Sequence, residues 1–128
     1  MEANYSSKVT FVSKEISAKE RIKLKDMSNA LSLDILTSEN DSFVITPDYY
    51  AEVAIHNEKS DDKDYKKYVV VDTAGTKYET GSESFIKAFK EIADDMATEA
   101  PDEEYSIEVF RRESNNYKGK SFITCSLV

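Results

Sequence analysis

His56 and Cys125 are the only histidine and the only cysteine of the chain, and so its only thiol–imidazole pair. A cysteine nucleophile needs a neighbouring base or cation to generate the thiolate. Nothing in the spacing brings the two together, and Cys125 alternates with apolar residues, so a buried, inert thiol is expected. Asp61-Asp62-Lys63-Asp64 has the acid density of a calcium loop. The position at which such a loop turns on glycine is Lys66, however, and no ligand spacing follows, so it reads as a solvated loop. The acid pair Asp94-Asp95 has no basic or apolar context to shift a pKa. Phosphate-cradling glycine loops, dinucleotide fingerprints and zinc signatures are absent from the sequence. The expectation is a protein that is not an enzyme and needs no cofactor or metal.

A different chemistry is carried by Phe110, Arg112, Tyr117, Lys118, Lys120 and Phe122. Aromatic rings beside cations hold unpaired nucleic acid, the rings stacking bases and the cations following phosphates. One stacked base contributes about 1–3 kcal/mol; an exposed ion pair contributes about 0–1 kcal/mol. Rings therefore dominate such a site. The plainer reading of Phe110 and Phe122 is packing beneath a helix or in a homodimer interface. Tyr50, His56, Tyr65 and Tyr68 form a second candidate surface, with half-exposed strand tyrosine as the alternative. Arg21, Lys23 and Lys25 supply a candidate phosphate-facing row, or simply the solvated side of a strand.

Three kinds of element must position these groups. Arg21-Ile22-Lys23-Leu24-Lys25 alternates with period two and predicts a strand over about Ser17 to Asp26, with an earlier one over Lys8 to Ser13. Residues 27–48 show no sustained period and read as a long connection holding a short strand at Phe43 to Thr46. Tyr49 to Asn57 alternates again, with Tyr49, Ala51, Val53 and Ile55 on one side. After the polar loop comes a strand over Tyr65 to Asp72. Thr73-Ala74-Gly75 is a turn with glycine available for positive φ, and Thr76 to Tyr78 returns. Thr80 and Glu83 have the spacing of a capping box. Phe85, Phe89, Ile92, Ala93 and Met96 then recur along one stripe, predicting a helix over 82–98 that Pro101 prevents from extending. A closing hairpin joins Tyr105 to Arg112 with Lys120 to Val128. With Arg112 opposite Lys120, Val109 meets Ile123 and Ile107 meets Cys125 on an apolar face, and Phe110 meets Phe122 on the reverse.

Strands, one helix, then a hairpin predict a mainly β fold: an OB-fold-like five-stranded barrel with its helix between the third and fourth strands. The 128 residues suffice for a single domain, 1–128. The formal net charge is −8, but its distribution is uneven. Residues 1–33 hold 6 basic and 4 acidic groups, residues 34–108 hold 7 and 20, and residues 109–128 hold 4 and 1. From Glu91 to Glu104 there are 7 acids and no base. A dipolar chain of this kind takes a polyanion on one side, with marked salt dependence. The acidic middle also supports an alternative, a module that binds a DNA-handling protein by imitating phosphates. No secretory pattern or membrane span is read, so a cytoplasmic protein without a membrane partner is expected.

Two stretches carry a family likeness. VVVDTAGTKYETGSESF leading into a helix, and IEVFRRESNNYKGKSFITCSLV closing the chain, resemble the small single-stranded-DNA-binding proteins of tailed bacteriophages and related mobile elements. In those proteins a D-x-x-G-type turn and a Ser-rich helix start precede the helix, and a Lys-Gly loop precedes the terminal strand. The likeness runs from Val69 to Val128; before that it is one of topology alone. It implies an OB-like protein without cofactor that protects template strands during replication in the host cytoplasm. Tyr117, Lys118 and Lys120 would then contact the strand, flanked by Arg112 and Phe122. It also implies a replication polymerase or helicase as partner. The acidic tail by which several such proteins engage polymerases has no counterpart in Ser126-Leu127-Val128, so the Glu91 to Glu104 run is the expected substitute.

Overall fold

Residues 5–113 and 120–128, the part of the chain that the computed structural model describes, form eight strands and three helices. In order these are β1 (Tyr5–Val12), α1 (Ala18–Leu24), β2 (Leu31–Ser32), α2 (Leu33–Glu39), β3 (Ser42–Ile45), β4 (Pro47–Asn57), β5 (Asp64–Asp72), β6 (Lys77–Thr80), α3 (Glu83–Glu99), β7 (Ile107–Glu113) and β8 (Ser121–Leu127). The fold is mainly β, as predicted. The strands form two open sheets, ordered β1-β4-β5-β6-β2 and β3-β7-β8. Two open sheets and three helices thus stand where one five-stranded barrel with one helix was expected. The closing hairpin pairs with β3 instead of returning to β1. The chain divides into two compact units, Met1–Leu31 with Asp48–Gly81 and Ser32–Pro47 with Ser82–Val128.

The first unit is built on β4 and β5. The expected side of β4, Tyr49, Ala51, Val53 and Ile55, packs with Val69 and Val71 of β5 and Leu24 of α1 into one core. Beyond β5 the chain reverses on Asp72. Its backbone N–H donates to the Thr76 carbonyl at 3.0 Å, and its carbonyl accepts from the Gly75 N–H at 2.9 Å. Its carboxylate Oδ1 accepts from the backbone N–H groups of Ala74 and Thr76. Gly75 sits at φ +88°, where a side chain is strained.

The segment expected as a strand over Ser17 to Asp26 is instead α1. Ser17 caps it by accepting from the Glu20 backbone N–H, and the Ser17 hydroxyl donates to the Glu20 carboxylate at 3.3 Å. Ala-Lys-Glu-Arg-Ile-Lys-Leu also consists almost wholly of strong helix formers. Only Leu24 is buried and Ile22 is exposed, so the two-residue alternation reported no sheet face. Helix α2, within the stretch expected as a connection, is capped by Ser32 and buries Leu33 and Thr37. The Thr37 hydroxyl donates to the Leu33 carbonyl at 2.7 Å, which hides a polar residue on the inner stripe and blurs the helical period.

In the second unit α3 ends within a residue of its predicted limits, but its cap is Ser82, whose side chain accepts from the Phe85 N–H. Thr80, expected as the cap, is the buried last residue of β6. Phe85, Ile86 and Phe89 are buried, with the two phenyl rings stacked 5.8 Å apart. No basic residue occupies the last turn, and Glu99 lies there exposed. A carboxylate at that end opposes the helix dipole. Glu99→Lys is therefore expected to raise stability by about 0.3–1 kcal/mol, seen as a higher urea midpoint; an unchanged or lower midpoint contradicts this.

Candidate nucleic-acid interface

Strand β7 pairs antiparallel with both neighbours. Ser42 lies opposite Phe110 and Val44 opposite Glu108 on the β3 side; Phe110 lies opposite Thr124 and Arg112 opposite Phe122 on the β8 side. The expected register, with Phe110 opposite Phe122, is displaced by two residues. A two-residue slide leaves every side chain on its own face, because the period of a strand is two. The predicted faces therefore hold while the partners change: Ile107 meets Leu127, Val109 meets Cys125, and Arg111 meets Ile123.

One face of this sheet is closed. Ile45, Ile107, Val109, Ile123 and Cys125 are buried on it. Helix α3 lies against β8, and α2 contacts all three strands. Arg111 belongs to this side. Its Nε donates to the Thr37 hydroxyl at 3.0 Å and its Nη2 to the Asp34 carbonyl at 3.1 Å, tying β7 to α2.

The opposite face is open. Val44 is 57% exposed, Glu108 and Arg112 are exposed, and Phe110, Phe122 and Thr124 are half-buried. Phe110 and Phe122 stand diagonally across the pair, with Arg112 and Thr124 on the other diagonal. The Arg112 guanidinium lies 5.7 Å from the Phe110 ring centroid, within cation–π range. Lys120, exposed, precedes β8 at the same end as Arg112. Rings and cations of the closing hairpin thus share one accessible surface. Tyr117 and Lys118 lie outside the described residues. Sequence reasoning did not find Ser42 and Val44, because only the β3–β7 pairing brings them beside the rings and four residues of strand carry no signal of their partner.

The other predicted contacts belong to the first unit. Tyr50 and Tyr68 are only 6% and 3% exposed, so neither ring is available for stacking; the Tyr50 ring packs 5.5 Å from Phe11. Their sides of β4 and β5 were expected half-exposed; Glu52, Ala54 and His56 are so, but Tyr50, Tyr68 and Val70 are buried. Arg21, Lys23 and Lys25 form no row. On a helix Arg21 and Lys25 share a side and Lys23 points about 200° away from Arg21. Lys23 also lines a cleft of about 660 Å³ with Lys77 and four acids, Glu20, Asp26, Asp48 and Asp72, and the Lys77 ammonium is engaged by the Lys23 and Asp26 carbonyls. Phosphate is disfavoured there.

Neither half of the thiol–imidazole pair is placed to react. Desolvation pushes the Cys125 thiol up to about 12. His56, in the first unit, has both ring nitrogens engaged, Nδ1 with Asp64 at 2.8 Å and Nε2 with Glu58 at 2.7 Å. Lys63 adds an ion pair to Glu58 at 3.3 Å. The Asp64 hydrogen bond, then that of Glu58, holds the imidazole above its ordinary 6.5. A group whose pKa is raised by folding stabilises fully below its unfolded value and loses that contribution as pH climbs through the folded one. The β4–β5 connection should therefore tighten as pH falls toward 6.5. An NMR titration is expected to place the His56 midpoint above 6.5, and Asp64→Asn to lower it; a wild-type midpoint at or below 6.5 contradicts the arrangement. Among the described residues no set of three His, Cys, Asp or Glu side chains is arranged to hold a metal ion.

The 7 acids from Glu91 to Glu104 are all exposed. No helix among the described residues is long and apolar enough to cross a membrane. No protein-family model, curated protein or solved structure matches the chain.

Proposed function

We propose that the chain binds single-stranded DNA on the open face of the β3-β7-β8 sheet, stacking bases on Phe110 and Phe122 and meeting phosphates with Arg112 and Lys120. The observation that supports this most is the accessibility of both rings, with an exposed guanidinium beside them, on the side of the sheet away from α2 and α3. Two stacked bases are worth about 2–6 kcal/mol together. The net charge of −8 does not outweigh this. The acids of α3 are exposed on the far side of the packed layer, where solvent ions screen their field over about 8 Å at physiological salt.

Binding of this kind tolerates sequence, since every base has a stacking face. It suits the protection of template strands during replication of a phage or mobile element in a bacterial cytoplasm, the role that the likeness of the Val69–Val128 stretch implies. A polymerase or helicase would meet the exposed acids between Glu91 and Glu104. An OB-like barrel is not required, because an open three-stranded face is platform enough.

Fluorescence anisotropy with a labelled dT oligomer across a salt series tests the reading. Micromolar or tighter affinity is expected at low salt. The logarithmic salt slope should be about −1.4 for two phosphates neutralised on a single strand. A dissociation constant that stays above millimolar at low salt contradicts it. That outcome favours the second reading, an acidic module that captures a basic DNA-handling protein. Its supporting observation is that 7 acids, all exposed, run from Glu91 to Glu104 along the second half of α3 and just beyond it, with Glu99 in the last turn where the dipole disfavours it.

A further inference from the structure

We infer that the open face selects, at one position, a base with an exocyclic amino group on its pairing edge, cytosine over thymine, and that the Glu108 carboxylate makes this choice. The inference rests on the nucleic-acid reading of the face and adds a local preference to otherwise sequence-tolerant stacking.

Glu108 is the one carboxylate on this face among the described residues. It projects from β7 two residues before Phe110, on the same side. That step is about 7 Å along a strand, the thickness of two stacked layers at about 3.4 Å each. A base stacked on the far side of Phe110 therefore falls beside Glu108. Val44, directly across the strand pair and 57% exposed, offers it an apolar floor. The Ser42 hydroxyl donates to Glu108 Oε2 at 3.2 Å and so orients the carboxylate. The other oxygen, Oε1, has no partner among the described residues and is free to accept.

A carboxylate on a face that binds a polyanion must be accounted for by the direction of the strand. Arg112 and Lys120 stand at the opposite end of the face and draw the phosphates there. At the Glu108 end the backbone is repelled, which leaves base edges facing the carboxylate. Cytosine presents its N4 amino group, the standard partner of Glu and Asp in base recognition. Thymine presents a single N–H between two carbonyl oxygens, whose lone pairs repel a carboxylate. Both are pyrimidines of similar stacking area, so the difference between them isolates the edge contact.

Anisotropy with dC and dT oligomers of equal length, at neutral pH and one salt concentration, decides the matter. The wild type is expected to bind dC about tenfold more tightly than dT. Glu108→Ala should weaken dC binding to the dT level and leave dT affinity unchanged or improved. Because Glu108 is exposed, circular dichroism of the variant should match the wild type. Equal affinity of the wild type for dC and dT, or a dC preference that survives in Glu108→Ala, overturns the inference. If dT binding still depends on Phe122 in that case, the stacking reading stands and only the role of Glu108 falls. If neither oligomer binds, both fall together.

Discussion

Phe122→Ala is expected to lower affinity for a dT oligomer by about 5- to 150-fold, the loss of one stacked base worth about 1–3 kcal/mol. The fold should hardly notice. Phe122 is half-buried on the open face and contributes little to the packed side of its sheet. Phe110→Ala should act in the same direction and carry a further loss, because it also removes the ring under the Arg112 guanidinium. Arg112→Ala removes a charge and should mainly lower affinity at low salt and flatten the salt slope by about 0.7. Rings and charge are thus separable: ring variants weaken binding at every salt concentration, and the charge variant weakens it most where screening is least. If Phe122→Ala bound dT as the wild type does, the open face would not be the binding surface.

Phe85→Ala is expected to have the opposite profile. Phe85 is 0% exposed in α3 and stacks on Phe89. Removing a buried phenyl ring costs about 3–5 kcal/mol, the lost transfer energy plus the cavity left behind. That is a large part of a total stability of about 5–15 kcal/mol. Thermal or urea unfolding should show a markedly lower midpoint, with DNA binding lost only under conditions where the second unit has unfolded. A variant that unfolded with the wild-type midpoint would contradict the packing of α3 on its sheet. Comparing the two variants distinguishes a surface ring that binds from a core ring that supports.

The sequence carried the faces of the strands better than their partners. Alternation along Ile107 to Arg112 puts Ile107 and Val109 on the buried face and Phe110 on the reverse, as the structure does. Arg111 falls with the buried residues and reaches Thr37, and Arg112 falls with Phe110. The same alternation is unchanged by a slide of two residues, so it did not determine that Phe122 stands opposite Arg112. Turn chemistry at Asp72 to Gly75 and the apolar stripe of α3 were equally legible, since both depend on contacts within a few residues. The segment from Ser17 to Asp26 misled because five residues of alternating type fit a strand and a short helix alike. There the Ser17–Glu20 cap decided the outcome. Tyr50 and Tyr68 misled for another reason. A polar-tipped ring on the second face of a strand is half-exposed only if nothing covers that face, and coverage is a property of the tertiary fold.

The candidate site followed the same division. Its rings and Arg112 are local to one hairpin and could be read directly. Val44, Ser42 and the isolation of Glu108 depend on β3 joining from more than sixty residues away in sequence, as Ser42 and Glu108 do. The basic segment at Arg21 to Lys25 was expected as one side of a strand; as α1 it spreads its cations around a helix, so no row forms.

The most direct measurement is NMR mapping of a dT oligomer titrated into the labelled protein. The account predicts that the largest shifts fall on Phe110, Arg112, Phe122 and Thr124 and their neighbours on β7 and β8, with Tyr50, Tyr68 and the α1 cations undisturbed. Shifts confined to the first unit, or none at all at saturating oligomer, would contradict it.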